Sequence, residues 1–79
     1  MNPNRLDLNL LRVFGAILDT RSVTVAATTL GLTQSAVSNQ LARLREAFDD
    51  PLFVRTSEGM VPTPRALAIA DPIRKSLVA

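Results

Sequence analysis

Between Ser22 and Ala47 the chain reads SVTVAATTLGLTQSAVSNQLARLREA, and small, apolar and turn-forming residues fall there at spacings that few folds accept. Val23, Ala26, Ala27 and Leu30 recur at i, i+3, i+4 and i+7, one face of a helix. Ser22 stands where its hydroxyl can accept one of the N–H groups a first turn leaves free. Gly31 follows the last apolar residue, where a helix ends most readily on a residue tolerant of positive φ. Leu32 is expected to plug the turn, and Thr33 to cap a second helix. In that helix Val37, Leu41, Leu44 and Phe48 step by four, three and four into a narrow inward stripe. The outward side carries Gln34, Ser35, Ser38, Asn39 and, further on, Arg43 and Arg45.

This is the pattern of a helix-turn-helix. Ala27 falls where two steeply crossed helices would nearly touch, so a small side chain is required there. Val37 closes the core beneath the second helix. The plainer alternative is a helical hairpin with a solvated outer face. Such a face is usually rich in Glu and Lys, whereas nothing between Thr33 and Ala42 is charged. Short amides and hydroxyls are the groups that meet base edges, and a bidentate amide such as Gln34 suits adenine N6 and N7 in the major groove.

The rest of the chain narrows the choice of function. Seventy-nine residues make one small domain. With no Cys and no His, disulfides, thiolate or imidazole metal sites and His-dependent catalysis have no residues to use. No catalytic residue, metal or cofactor is expected. No apolar run approaches the ~20 residues of a membrane span, and the N-terminus lacks a signal-peptide core, so a cytoplasmic protein is expected. A net charge of +2 is weak support for nucleic acid by itself. Arg43, Arg45, Arg55 and Arg65 nonetheless gather on or after the second helix, interspersed with Asp49, Asp50 and Glu58.

Asp7 to about Thr20 forms the first helix, capped by Asp7, with Leu10, Leu11, Phe14, Ile17 and Leu18 as its apolar stripe. Gly15 inside it marks a close helix contact. Arg5 and Arg12 are the only functional candidates in this region. After the central pair, Asp49-Asp50-Pro51 ends the helix. Leu52 to Arg55 and Met60-Val61 read as short strands around the turn Thr56 to Gly59. The fold class is therefore mainly α, a winged helix-turn-helix of three helices plus a short β-hairpin wing, followed by a linker helix. Arg55 is the best wing contact to DNA. Thr63 caps the last helix and Pro64 occupies its first position. Ala66, Ala70, Ile73 and Leu77 form its stripe, with Leu67 and Ile69 beside it. Pro72 must kink or end that helix. The stripe reads as a dimerisation arm, and the chain as a piece of something longer. Ile73→Glu or Leu77→Glu is then expected to weaken dimerisation while leaving the monomer folded.

One ordered series runs through these elements: Leu8-Asn9-Leu10-Leu11 with Phe14; Ser22-Val23-Thr24 with Ala26-Ala27 and Leu30; Thr33 to Ser38 with Gln40-Leu41 and Leu44; Leu52-Phe53 with Arg55; and Thr63. In this series the chain resembles the N-terminal DNA-binding domain of the LysR-type transcriptional regulators, over about residues 6–79. The resemblance implies a winged helix-turn-helix over 6–63, with the helix-turn-helix near 23–42 and the wing near 52–62. It implies that 64–79 begins a linker helix pairing two chains through Leu67, Ala70, Ile73 and Leu77, and that a C-terminal effector domain is absent. It implies double-stranded DNA as partner, a homodimer with a higher oligomer in the full-length protein, and contact with RNA polymerase. By position, Gln34, Ser35, Ser38 and Asn39 would approach bases. Thr24, Thr33, Gln40, Arg43 and Arg55 would hold the backbone. The family's usual glycine after the recognition helix is replaced by Asp49-Asp50-Pro51, and its Glu-Ala-Gly after the threonine by Pro64-Arg65-Ala66. Both variants resemble the branch of nodulation and aromatic-degradation regulators. Glu58 stands where the family often has Arg, and it would repel phosphate. The reading from another class is a winged helix serving protein–protein contact, which the uncharged outward face would also permit.

Overall fold

The computed structural model describes residues 8–78. In order they form α1 (Leu8–Thr20), α2 (Val23–Leu30), α3 (Gln34–Phe48), β1 (Phe53–Thr56), β2 (Gly59–Pro62) and α4 (Pro64–Val78). Three helices and an antiparallel hairpin make the expected winged helix-turn-helix, with a fourth helix after it. Arg5 and the expected cap Asp7 lie outside the described residues.

α1 is the element around which the others assemble, packing against α2, α3, α4 and β2. It buries Leu10, Val13, Phe14, Ile17 and Leu18, and Gly15 is buried with them. Leu11, expected in the stripe, is only half-buried; Val13 takes the inner place. α2 ends as Gly31 demanded. Its φ is +69°, the Leu32 N–H donates to the Ala27 carbonyl at 2.9 Å and the Gly31 N–H to the Thr28 carbonyl at 3.2 Å. These are the paired bonds of a Schellman motif. Ala26 and Ala27 are buried, and their small side chains leave room for α1 and α3 to close on α2. Leu32 does not plug the turn as expected. It is 39% exposed.

The hairpin pairs Phe53 with Pro62, Val54 with Val61, Arg55 with Met60 and Thr56 with Gly59. Phe53 and Met60 face the core, whereas Val54 and Val61 are exposed. The Met60 N–H donates to the Arg21 carbonyl at 2.8 Å, tying β2 to the corner between α1 and α2. That tie explains Gly59. Its φ is +100°, and a Cβ there would stand 2.6 Å from the Arg21 oxygen.

α4 departs from expectation. Ala66, Ala70 and Ile73 are buried in the domain's own core, at 0%, 9% and 6% exposure. Ala70 and Ile73 are therefore not a surface for a second chain; the apolar face of α1 still needs cover after α2 and α3 have docked, and α4 provides it. Leu67 remains 57% exposed, and the Leu77 side chain lies outside the described residues. Pro72 does not end α4, which continues to Val78.

Two outcomes follow. Ile73→Glu places an unpaired carboxylate in the core and should cost roughly 3 kcal/mol or more, a large share of a small domain's stability. Thermal unfolding followed by circular dichroism should show a clearly lowered midpoint; an unchanged midpoint would return Ile73 to the dimer face. Gly59→Ala meets both the φ requirement and the Arg21 carbonyl, and should cost about 1–3 kcal/mol in urea unfolding.

Candidate nucleic-acid interface

The candidate surface is built on α3. Thr33 caps it, its hydroxyl accepting from the Ala36 N–H at 3.0 Å while its carbonyl accepts from the Val37 N–H at 3.1 Å. Ser22 caps α2 in the same way, accepting from the Val25 N–H at 3.1 Å. Neither helix spends a charged side chain on its first turn. Inward, Val37, Leu41 and Leu44 are buried and Phe48 is half-buried. Outward, Gln34, Ser35, Ser38 and Asn39 are all exposed. At 3.6 residues per turn, Ser35, Ser38, Asn39 and Ala42 share a sector of about 100°, with Gln34 at its edge. Ala42 was not singled out from the sequence. It is exposed in the middle of that sector, and its lone methyl leaves the helix backbone open to close approach.

The residues expected to hold the backbone divide. Thr24 is exposed in the first turn of α2, Thr33 is exposed at the α3 cap, and Arg43 and Arg55 are exposed on α3 and β1. Gln40 is set apart from them. It is half-buried, and its Oε1 is buried without a hydrogen-bond partner among the described residues. It lines a shallow cavity of about 160 Å³ with Asn9, Arg12, Val13, Leu30 and Leu32, on the flank where α1 meets the turn. An amide packed there stands aside from the Gln34–Asn39 surface.

The link from α3 to the wing holds what sequence reasoning did not find. Asp49 adopts φ +51° and closes α3 with the bonds of a second Schellman motif, the Asp49 N–H to Glu46 and the Asp50 N–H to Arg45. Asp is one of the few residue types other than glycine that tolerate the left-handed region. The Asp50 carboxylate accepts from the Leu52 N–H and from the Thr63 hydroxyl, both at 2.8 Å. The same Thr63 hydroxyl accepts from the Ala66 N–H at 3.1 Å, so it caps α4 while bound to Asp50. Arg45 reaches from α3 and donates through Nε to the Pro51 carbonyl at 2.8 Å and through Nη2 to the Phe53 carbonyl at 2.9 Å. From the sequence it reads only as part of a basic surface. Its signal was its place one turn before the break, but nothing in the sequence says that its donors point at carbonyls.

The profile of the family described as "Bacterial regulatory helix-turn-helix protein, lysR family" matches residues 8–67. The chain belongs to the LysR family. This LysR-family domain is 55% identical over 77 residues to the HTH-type transcriptional activator NahR of Pseudomonas putida, covering 98% of this chain and 26% of that protein. A solved structure described as probable transcriptional regulator PA0477 from Pseudomonas aeruginosa superposes with a TM-score of 0.88 at 46% identity, covering 94% of this chain and 25% of that one. The structure described as the BenM_DBD/catB site 1 DNA complex superposes with a TM-score of 0.86 at 30% identity, over 92% of this chain and 82% of that one. The LysR-family domain thus spans about a quarter of the length of the curated relative it matches. Its architecture is that of the family's winged-helix DNA-binding domains.

The knot at Asp50 gives a stability test. Asp50→Ala leaves the Leu52 N–H and the Thr63 hydroxyl without their acceptor and should cost about 1–3 kcal/mol. Urea unfolding should show the loss, and Thr63→Ala in the Asp50→Ala background should add less than it does alone.

Proposed function

We propose that this domain binds double-stranded DNA sequence-specifically as part of a bacterial LysR-type transcriptional regulator, with α3 in the major groove. The observation that carries the reading is the set of four exposed, uncharged hydrogen-bonding side chains, Gln34, Ser35, Ser38 and Asn39, on a helix whose opposite face is the core. An α-helix fits the major groove, where short amides and hydroxyls discriminate base pairs. The likeness to a domain solved with DNA supports it. In this reading Arg43, Arg55, Thr24 and Thr33 anchor phosphates and sugars, and the positive end of the α3 dipole favours the duplex.

The larger protein is read as a cytoplasmic homodimer, of higher order when complete, at an interrupted inverted repeat with half-sites roughly 34 Å apart or a multiple of it. Leu67 is the exposed apolar candidate for pairing on α4. Among the described residues no helix is long and apolar enough to cross a membrane. The domain needs no cofactor and catalyses nothing. Transcription would answer to a small molecule sensed by a domain further along the chain, aromatic by likeness to NahR's branch, and RNA polymerase is the further partner.

Readers and anchors are separable. Gln34→Ala should cost about 1–3 kcal/mol on the preferred duplex and relax preference at one base pair. Arg55→Ala should weaken all duplexes about equally and lower the salt slope by about 1. The measurement is binding to a selected duplex, its single-base variants and random duplex at several salt concentrations. Intact folding with no effect from either change would favour the protein-interaction reading.

A further inference from the structure

The connection between recognition helix and wing is not one that its own backbone prefers. Asp49 and Leu52 both have positive φ, +51° and +63°, although neither is glycine. The Phe53 N–H donates to the Pro51 carbonyl at 2.6 Å, closing a three-residue turn on Leu52. A γ-turn with positive φ at its centre is the rare, strained form. Leu52 and Phe53 are buried, and the Phe53 ring against Phe14 seats the start of the wing on α1, but that packing makes no bond between α3 and the link. Among the described residues, the side-chain hydrogen bonds from α3 to this segment come from one group, the Arg45 guanidinium. Its Nε and Nη2 take the carbonyls of Pro51 and Phe53, either side of the strained residue. Two residues beyond Phe53 on the same strand is Arg55.

We infer that Arg45 is a positioning residue: it fixes the wing relative to α3, so that Arg55 and the Gln34–Asn39 surface engage one duplex together. The inference rests on the proposed DNA-binding function. A planar guanidinium with several donors in a fixed fork can satisfy two carbonyls at once, whereas an ammonium acts as a single point. Arg45 is exposed, so its loss leaves the core intact. With it gone the link keeps the Asp50 bonds to Leu52 and Thr63, the Thr63 N–H to the Leu52 carbonyl and the Met60 N–H to Arg21, but it loses its directed bonds to α3.

Two measurements test this. The chain has no cysteine, so Ala42→Cys and Val54→Cys supply a unique pair for spin labels on α3 and β1. Without DNA, the distance distribution should be narrow in the labelled parent and shifted or broadened by Arg45→Met and by Arg45→Lys, with thermal unfolding showing that both remain folded. An unchanged distribution overturns the inference. The second measurement is a double-mutant cycle on a duplex selected by the unmodified chain from a random-sequence pool. Arg55→Ala should weaken binding roughly tenfold in the parent, as loss of one phosphate anchor. In the Arg45→Met background it should weaken binding less than about twofold, because the anchor is already misplaced. Equal losses in both backgrounds would mean that Arg45 is an independent phosphate contact, and would overturn the positioning role while leaving DNA binding standing. No Arg55 effect in either background overturns the inference through its premise that the wing anchors DNA. Failure of the parent to bind any duplex in the pool overturns the proposed function itself.

Discussion

The contact between Phe14 and Phe53 is the one the rest of the structure depends on. Their rings lie 5.4 Å apart at 51°, within the range where tilted aromatic pairs attract. Phe14 comes from the middle of α1 and Phe53 from the first position of the wing, and both are fully buried. Around Phe14, α1 buries four other apolar side chains against every helix that follows and against β2. The helix-turn-helix and the wing are thus set against a common post. The surface of α3 owes its direction to that post, because Val37 and Leu44 are buried on the opposite side.

Most of the helix-turn-helix was legible in the residues, since its geometry is local. A cap, a left-handed glycine and a heptad-like stripe each act within a few positions, and Ser22, Thr33, Gly31 and Val37 behave as their types require. What failed was non-local. An apolar stripe says that a face is covered, not by what, and Ala70 and Ile73 look the same whether they meet a second chain or α1. Leu32 is apolar and yet exposed, a difference that its residue type does not carry. The α3-to-wing link was read only as a stop. Its content, two left-handed non-glycine residues and the Arg45 bonds, depends on tertiary partners that no spacing rule encodes.

The low net charge is compatible with the proposed interface for a reason visible in the fold. Asp50 faces inward to Leu52 and Thr63, and Arg45 is turned onto carbonyls, so neither is simply a solvated charge in the total. Arg43 and Arg55 are left exposed on α3 and β1. Where charge is placed matters more to a polyanion than how much of it the chain carries.

A sheet of only two strands has two open edges, and here its outer face carries the exposed pair Val54 and Val61. Such a ribbon is a ready template for a strand from another chain. This one offers a poor template. Each strand is four residues long, Pro62 at the end of β2 has no N–H to give, and Arg55 interrupts the apolar run on β1. The short strands, Pro62 and Arg55 thus keep the hairpin from recruiting its own kind into a growing sheet.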